Sequence, residues 1–220
     1  ILVARGYAAS GQEIEVRRHP APEIRVAGER LAFGPELRSG DFGFTEPVLG
    51  EEFLGFLGLP ALSGAAFLLD YERRRLTVLR IAADGAPVVG APPPEEVVAE
   101  LRVAPGAAGL PTAEGSLGSS PLAVEFDTAD GGTLYLGAER QATLEAEGGI
   151  ERVGDRAFVH GVVLGGVAFD RIRVRLVRTG GPEDLRSGAE AATLRLGASF
   201  FRRWPTLWNL NAGTITVLRS

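Results

Sequence analysis

The sequence contains no cysteine, no methionine and no lysine, and its only histidines are His19 and His160. The absence of cysteine excludes disulfide bridges, thiolate metal sites and cysteine nucleophiles. Two imidazoles are too few for a histidine-rich metal centre, so we expect no metal site. The chain has 28 acidic and 23 basic residues and a net charge of −5. Because this balance offers no broad basic surface, nucleic acid is not an expected partner.

Long apolar segments are also scarce. The longest candidate for a membrane span is Phe53–Leu69, which is uncharged but contains Pro60 and three glycines. It is at the short limit for a spanning helix of about 20 residues, so a buried helix and strand fit it better. We therefore predict no membrane insertion. No signal peptide is visible in Ile1–Tyr7, where Arg5 interrupts the apolar residues.

Glycine and proline are abundant instead, with 30 and 14 residues, and they show no collagen-like period. With 45% hydrophobic and 23% charged residues, the composition is that of a globular protein rather than a disordered one. Many turn residues favour short elements joined by tight turns over long helices. The composition therefore favours a β-rich fold.

An internal repeat organises the chain. The blocks LGEEFLGF (Leu49–Phe56) and LLDYERRRLTVLR (Leu68–Arg80) recur as LGASFFRR (Leu196–Arg203) and LWNLNAGTITVLR (Leu207–Arg219). The first block of each copy predicts a short helix, because charged residues suit its ends and Pro205 stops the second one. The second block of each copy predicts a closing hairpin, because turn residues precede a β-branched run.

The remaining segments predict further strands and a linker. Ile24–Gly28 and Val162–Gly166 each read as a strand that enters a turn. Strands are also predicted within the segments Glu95–Ala104, Leu110–Leu117 and Leu122–Phe126. The breaker-rich stretch Ala82–Pro94 has linker composition. We predict a first lobe at 1–81, a linker and inter-lobe strand at 82–109, and a second lobe at 110–220.

The run PLAVEFDTADGGTLYLGAE (Pro121–Glu139) resembles the active-site segment of retropepsin-like aspartic peptidases. In that family an apolar strand ends in Asp-Thr/Ser-Gly, and here Asp127-Thr128-Ala129 stands in its place. The family later has an apolar-Leu-Gly turn that opens a short helix, and Leu196–Phe201 matches it in order. With the closing hairpins, the resemblance covers nearly all of the second copy and most of 24–80.

The resemblance implies an all-β, mostly antiparallel, bilobal fold with two distorted barrels, each with one short helix, related by a pseudo-two-fold axis within a monomer. It implies hydrolysis of a peptide or protein substrate by an aspartyl dyad and an activated water, without metal or cofactor. Asp127 would be catalytic, Thr128 would hydrogen-bond across the lobe interface, and Ala129 would complete the turn. The tip of a substrate-covering flap would be Val153, Gly154 and Asp155. The family's habits suggest a periplasmic or secreted protein, and the arginine-rich, lysine-free composition suggests a bacterial source.

Two departures from the family keep a second function open. Aligning Ile1–Ala9 with Leu134–Ala142 places the first-lobe counterpart of Asp127 before Ile1. Ala129 stands where the family has glycine, and its Cβ would crowd a tight turn. The alternative is therefore a catalytically inactive module that binds peptides or a protein partner.

Several of these residues also have simpler interpretations. In the simpler interpretation, Asp127 is a strand-end aspartate whose side chain forms a hydrogen bond within its own turn. Asp130 either alters the protonation of Asp127 or faces solvent. The run 153–155 would be an ordinary surface hairpin, and Arg73–Arg75 a solvated one.

Overall fold

A computed structural model gives the fold. It describes residues 2–7, 13–20, 23, 25–26, 28–30, 36–43, 47, 50, 56, 58–59, 64–82, 84–88, 90–106, 109–184 and 192–220. The chain divides into two compact units, Ile1–Ala65 and Ala66–Ser220. Strands dominate and most pair antiparallel, so the predicted all-β fold is confirmed. No described helix has the length and apolar character needed to cross a membrane.

The first unit contains short antiparallel strands. They are β1 (Leu2–Tyr7), β2 (Glu13–Pro20), β3 (Arg25–Val26), β4 (Glu29–Arg30) and β5 (Glu36–Ser39). Strands β1, β2 and β5 form one sheet in that order, and β3 pairs with β4. Gly28, with φ of 84°, lies in the β3–β4 turn, where glycine adopts positive φ without steric cost. The helix predicted at Leu49–Phe56 falls mostly outside the described residues.

The second unit contains the remaining strands and two described helices. The strands are β6 (Ala65–Asp70), β7 (Arg75–Arg80), β8 (Val97–Arg102), β9 (Ala104–Pro105), β10 (Pro111–Leu117), β11 (Ser120–Phe126), β12 (Thr133–Leu136), β13 (Ile150–Val153), β14 (Arg156–Val159), β15 (Val162–Leu164), β16 (Val167–Phe169), β17 (Ile172–Arg178), β18 (Thr193–Leu196), β19 (Thr206–Asn209) and β20 (Thr214–Leu218). The helices are α1 (Ala138–Ala146) and α2 (Ala198–Phe201), and a short 3-10 helix spans Pro94–Glu96.

The two closing hairpins of the repeat meet in one five-stranded sheet of order β7-β6-β19-β20-β8. Leu68 in β6 pairs with Leu207 in β19, and these two residues are counterparts in the aligned repeat. On either side, Phe67 pairs with Trp208 and Leu69 pairs with Thr206. In the aligned repeat Phe67 corresponds to Thr206 and Leu69 to Trp208, so exchanging the two copies turns one flanking pair into the other. A local two-fold axis through the central pair produces this register. The symmetry covers the hairpins, and the duplication of the whole chain stays a prediction.

The turns of these hairpins share one hydrogen-bonding scheme. The backbone N–H of Arg73 donates to Oδ1 of Asp70 at 2.9 Å, and the equivalent N–H of Ala212 donates to Oδ1 of Asn209 at 3.2 Å. Each turn ends in a left-handed residue, Gly213 with φ of 64° and its counterpart Arg74 with φ of 51°. The predicted closing strands are confirmed as β7 and β20.

The larger sheet has the order β13-β14-β17-β12-β18-β11-β10-β15-β16, with β9 added beside β10. Strand β18 lies between β11 and β12, although β11 and β12 are neighbours in sequence. It runs parallel to β11 and antiparallel to β12. The carboxyl ends of β11 and β18 therefore lie side by side, which brings Asp127 next to Gly197.

Aromatic side chains beneath these strand ends form a continuous buried cluster. The Trp208 ring is 6.1 Å from Phe126 and 5.9 Å from Phe201, measured between ring centroids. Phe200 joins Phe201 at 5.9 Å and Phe169 at 5.6 Å. All five rings are almost completely buried. Because helix α2 contributes two of them, the cluster fixes α2 against the end of β18.

Sequence and structure differ at two points. Helix α1 was not predicted, although Glu139 in its first turn and Gly148-Gly149 after its end are ordinary helix-boundary residues. Strand β1 continues to Tyr7, whereas its aligned segment turns helical at Ala138, so the alignment of 1–9 with 134–142 holds only for the strand portion. The compact second unit begins at Ala66 because β6 pairs with β19. The lobe boundaries at 81, 109 and 110 stay a prediction.

Candidate active site

Asp127 directly follows β11, in a turn tied to the end of β18. Its backbone N–H donates to the carbonyl of Leu196 at 3.0 Å, which continues the pairing of the two strands by one residue. Its Oδ1 accepts the backbone N–H of Ala129 at 2.9 Å. The Asp127 side chain is 21% exposed. The turn therefore holds one carboxylate oxygen by the backbone and leaves the other, Oδ2, to nearby side chains or a ligand.

The second half of the turn is fixed against helix α2. The carbonyl of Asp130 accepts the backbone N–H of Ala198 at 2.7 Å. The Oδ1 of Asp130 accepts the N–H of Gly132 at 2.6 Å and the hydroxyl of Thr133 at 3.0 Å. Asp130 is thus engaged in its own turn through Oδ1, and it is partly buried rather than turned fully to solvent.

A largely buried ion pair lies beside Asp127. Arg195, on β18, donates from Nε and Nη2 to Oε2 of Glu125, on β11, at 2.9 and 2.8 Å. The two side chains are 16% and 10% exposed. The Nη1 of Arg195 lies 3.9 Å from Oδ2 of Asp127. Burial by itself would lower the pKa of Arg195, but the hydrogen bond and charge of Glu125, together with the charges of Tyr135 and Asp127, raise it overall, so the cation is maintained.

Tyr71, in the turn between β6 and β7, contacts the same segment from another side. Its hydroxyl donates to the carbonyl of Thr128 at 3.2 Å. Burial raises the pKa of Tyr71, and the negative charge of Asp127 raises it further, against the lowering effects of Thr128 and Arg202. The phenol therefore stays neutral and acts as a hydrogen-bond donor to the turn.

Ala129 fits the turn where the resemblance leads one to expect glycine. The side chain is exposed, and its backbone is not in the left-handed region, where Cβ would be strained. The steric objection to Ala129 is therefore absent in this structure. The role of Thr128 across a lobe interface stays a prediction, since its observed partner, Tyr71, contacts its main-chain oxygen.

Val153, Gly154 and Asp155 lie at the tip of the β13–β14 hairpin. Val153 pairs with Arg156, so Gly154 and Asp155 form a two-residue turn. Gly154 has φ of 62°, as the first position of a type II′ turn requires. Val153 is 46% exposed, and β14 joins the tip to the large sheet through β17. The hairpin has the form of a flap, and its action as one stays a prediction.

Sequence reasoning missed three residues around Asp127. Glu125 and Arg195 are single charges of opposite sign within the apolar strands LAVEF and LRL, a pattern that could have indicated a buried pair. Tyr71 carried no such signal. Among the described residues, no three His, Asp or Glu side chains converge as metal ligands would. The side chains that the structure brings together around the Asp127 turn are carboxylates, one arginine and one phenol.

Comparison with known proteins gives a limited result. No protein family model matches the sequence. No curated protein sequence matches it. Of the solved structures, the chain is similar to the aspartic proteinase from Irpex lacteus, with a TM-score of 0.40, 11% sequence identity and 60% of this chain covered. The match covers 50% of the proteinase chain, so this chain spans about half the length of that protein.

Proposed function

We propose that the protein is an aspartic endopeptidase and that Asp127 is one member of its catalytic dyad. The supporting observation is the turn of Asp127. A half-buried carboxylate stands at the end of β11, anchored through Oδ1 to Ala129 and through its backbone to Leu196. Such anchoring orients the second carboxylate oxygen. A catalytic carboxyl group needs this orientation, because it must contact both a water molecule and the peptide carbonyl.

The chemistry follows from placing two carboxyl groups close together. Both cannot ionise, so one keeps its proton and polarises the scissile carbonyl, while the other removes a proton from water. The resulting hydroxide attacks the carbonyl carbon, and the C–N bond breaks as the leaving nitrogen is protonated. We expect the substrate to be a peptide in extended form, covered by the β13–β14 hairpin.

The proposal requires a second carboxyl group. Among the described residues, the side chain of Asp127 lies within ion-pair distance of Arg195, and Arg195 is itself paired with Glu125. The repeat leads us to propose that the partner is an aspartate in an equivalent apolar-Asp-Thr/Ser-Gly segment that precedes Ile1 in the full-length protein. In that arrangement a monomer carries both members of the dyad.

A second candidate function is peptide or protein binding without catalysis. It is favoured by Arg195, whose Nη1 lies 3.9 Å from Oδ2 of Asp127. A guanidinium at this distance forms an ion pair with the carboxylate, which fits a structural or binding role for Asp127. In this case the Asp127 turn would be retained and cleavage would be absent.

The test compares full-length protein with Asp127→Asn and Asp84→Asn. At position 127, asparagine keeps an oxygen that can accept the N–H of Ala129. At position 84, asparagine likewise keeps an oxygen for the N–H of Ala86, which in the wild type donates to Asp84 at 3.0 Å, so the two substitutions are matched. We expect the wild type to bind pepstatin and to cleave unfolded casein, and the Asp127 variant to lose about 10²–10⁴-fold in rate. The Asp84 variant should retain activity. A wild type that neither binds pepstatin nor cleaves at acid to neutral pH would reject the endopeptidase, and peptide binding without cleavage would support the second candidate.

A further inference from the structure

An open cleft of about 950 Å³ lies in the second unit, beside the Asp127 turn. Its walls include the β6–β7 turn and the end of helix α2. The residues that line it include Tyr71, Glu72, Arg74, Arg202 and Arg203. Ligand clefts in proteins are commonly about 300–1,000 Å³ in volume, so this one has room for more than a single inorganic anion.

The cleft carries an excess of positive charge within a protein of net charge −5. Three of its lining side chains are arginines and Glu72 is the one acidic side chain among them. Arg203 donates from Nη1 to the carbonyl of Asp170 at 3.1 Å. In the described part of the chain, Arg74 and Arg202 make no ion pair and no side-chain hydrogen bond, whereas the adjacent Arg73 is paired with Asp70. Two guanidinium groups are therefore available to an anionic ligand.

Arg74 occupies a backbone position that is unfavourable for arginine. Its φ is 51°, and the counterpart in the other closing hairpin is Gly213, with φ of 64°. The left-handed region costs stability for residues other than glycine. Because the matched turn forms with glycine, the turn does not require an arginine. A strained residue whose side chain lines a cleft indicates a functional role for that side chain.

Tyr71 connects the cleft to the candidate active site. It lines the cleft, and its hydroxyl donates to the carbonyl of Thr128 at 3.2 Å. The charges of both Asp127 and Arg202 act on this phenol. Arg202 and Asp127 therefore act on the same side chain, which links this wall of the cleft to the Asp127 turn.

We propose that this cleft binds an acidic segment of a peptide ligand, whose side-chain carboxylates pair with Arg74 and Arg202. Guanidinium groups bind carboxylates through paired, charge-assisted hydrogen bonds. The inference rests on the proposed function to the extent that the ligand is a peptide. It adds the chemical class of that peptide, which the resemblance to aspartic peptidases does not specify.

The test uses binding rather than cleavage, so its outcome is independent of catalysis. Full-length protein carrying Asp127→Asn is titrated into a fluorescein-labelled peptide of Gly-Glu-Ser repeats and its Gly-Gln-Ser counterpart, and anisotropy is recorded. Arg74→Gly is compared with Arg75→Gln, which removes the same charge from the next residue of the hairpin but not from this cleft. Arg202→Gln is the second test variant.

We expect the glutamate peptide to bind at least about tenfold more tightly than the glutamine peptide. Arg74→Gly and Arg202→Gln should each weaken glutamate-peptide binding about ten- to a hundredfold, and Arg75→Gln should leave it unchanged. Arg74→Gly should also raise the melting temperature by about 2–4 °C, because glycine relieves the backbone strain. If Arg74→Gly is more stable than the parent yet binds the glutamate peptide less well, the weaker binding results from a lost ligand contact and not from damaged folding.

Three results would overturn the proposal. The first is equal binding of the two peptides by the parent protein. The second is equal loss of binding in the Arg74 and Arg75 variants, which would reflect general charge only. The third is Arg74-dependent binding of inorganic phosphate without a preference for the glutamate peptide, which would assign the cleft to a small anion. If the peptide preference holds while the wild type shows no cleavage, the endopeptidase proposal fails and the acidic-ligand cleft stands.

Discussion

The carbonyl oxygen of Asp130 occupies the space that a side chain on Gly197 would need. A Cβ built on Gly197 would clash with that oxygen and would lie 2.7 Å from the backbone nitrogen of Gly132. The same carbonyl accepts the N–H of Ala198 at 2.7 Å, so the turn after β11 and the start of helix α2 interlock through main-chain atoms. The position of Asp127 therefore depends on a residue without a side chain at the end of β18.

Replacing Gly197 by alanine should displace the Asp127 turn and destabilise the second unit by about 1–3 kcal/mol, since backbone atoms cannot move aside as a flexible side chain can. Gly131→Ala is the matched control, because a Cβ there meets nothing within 4 Å. It should change the free energy of unfolding by at most about 0.5 kcal/mol. Urea unfolding followed by tryptophan fluorescence measures both variants. Equal stabilities for the two would contradict the interlock.

Removing one partner of the Glu125–Arg195 pair should lower the free energy of unfolding more than replacing both partners with apolar residues. Glu125→Gln leaves a largely buried guanidinium without its anion, and we expect a loss of about 3–5 kcal/mol in unfolding free energy. The double variant Glu125→Leu/Arg195→Met removes both charges and should recover most of that loss. A double variant no more stable than Glu125→Gln would show that packing, rather than charge, dominates at this position. Chemical denaturation of the single variants Glu125→Leu and Arg195→Met, beside the double variant, completes the cycle.

The closing hairpins could be predicted from sequence because each is specified locally. Ile215–Leu218 is a β-branched run that follows turn residues, and strand β20 spans it. The second short helix was likewise predictable from the Leu-Gly turn before Ala198 and the proline after its end. Asp127 could be located because it directly follows an apolar strand.

The surroundings of Asp127 could not be predicted in the same way. Glu125 and Arg195 are adjacent only because β18 inserts between β11 and β12 in one parallel register. Alternation of apolar and polar residues indicates which face a side chain occupies, and it does not fix which strands become neighbours. The left-handed backbone of Arg74 was equally inaccessible, because arginine gives no signal for positive φ.

The aromatic cluster beneath the site should depend strongly on Trp208. This residue is 2% exposed, and its indole N–H donates to the hydroxyl of Thr206 at 2.8 Å. Trp208→Ala should lower the unfolding free energy by about 3–5 kcal/mol through lost burial and a cavity. Trp204→Ala is the control, since Trp204 is only half-buried, and its cost should be clearly smaller. Differential scanning calorimetry of both variants tests this, and a similar loss in each would refute a central role for Trp208.

Asp70 should make stability dependent on acidic pH. Burial by itself would raise the pKa of Asp70, but the backbone N–H of Arg73 at 2.9 Å and its Nη1 at 2.7 Å outweigh burial, and the pKa lies below its ordinary value. A carboxylate whose pKa is lowered by folding contributes stability above its unfolded pKa of about 3.9, and loses that contribution as the pH falls through the folded pKa.

Asp70→Asn retains an oxygen for the Arg73 N–H but has no charge to titrate. The wild type should therefore exceed this variant in unfolding free energy at pH 6, and the difference should shrink as the pH is lowered below about 4. Arg73→Gln, which removes the cation alone, should weaken the same pH dependence. A difference between wild type and Asp70→Asn that stays constant from pH 6 to pH 2 would show that the charge of Asp70 does not contribute to the stability of the hairpin.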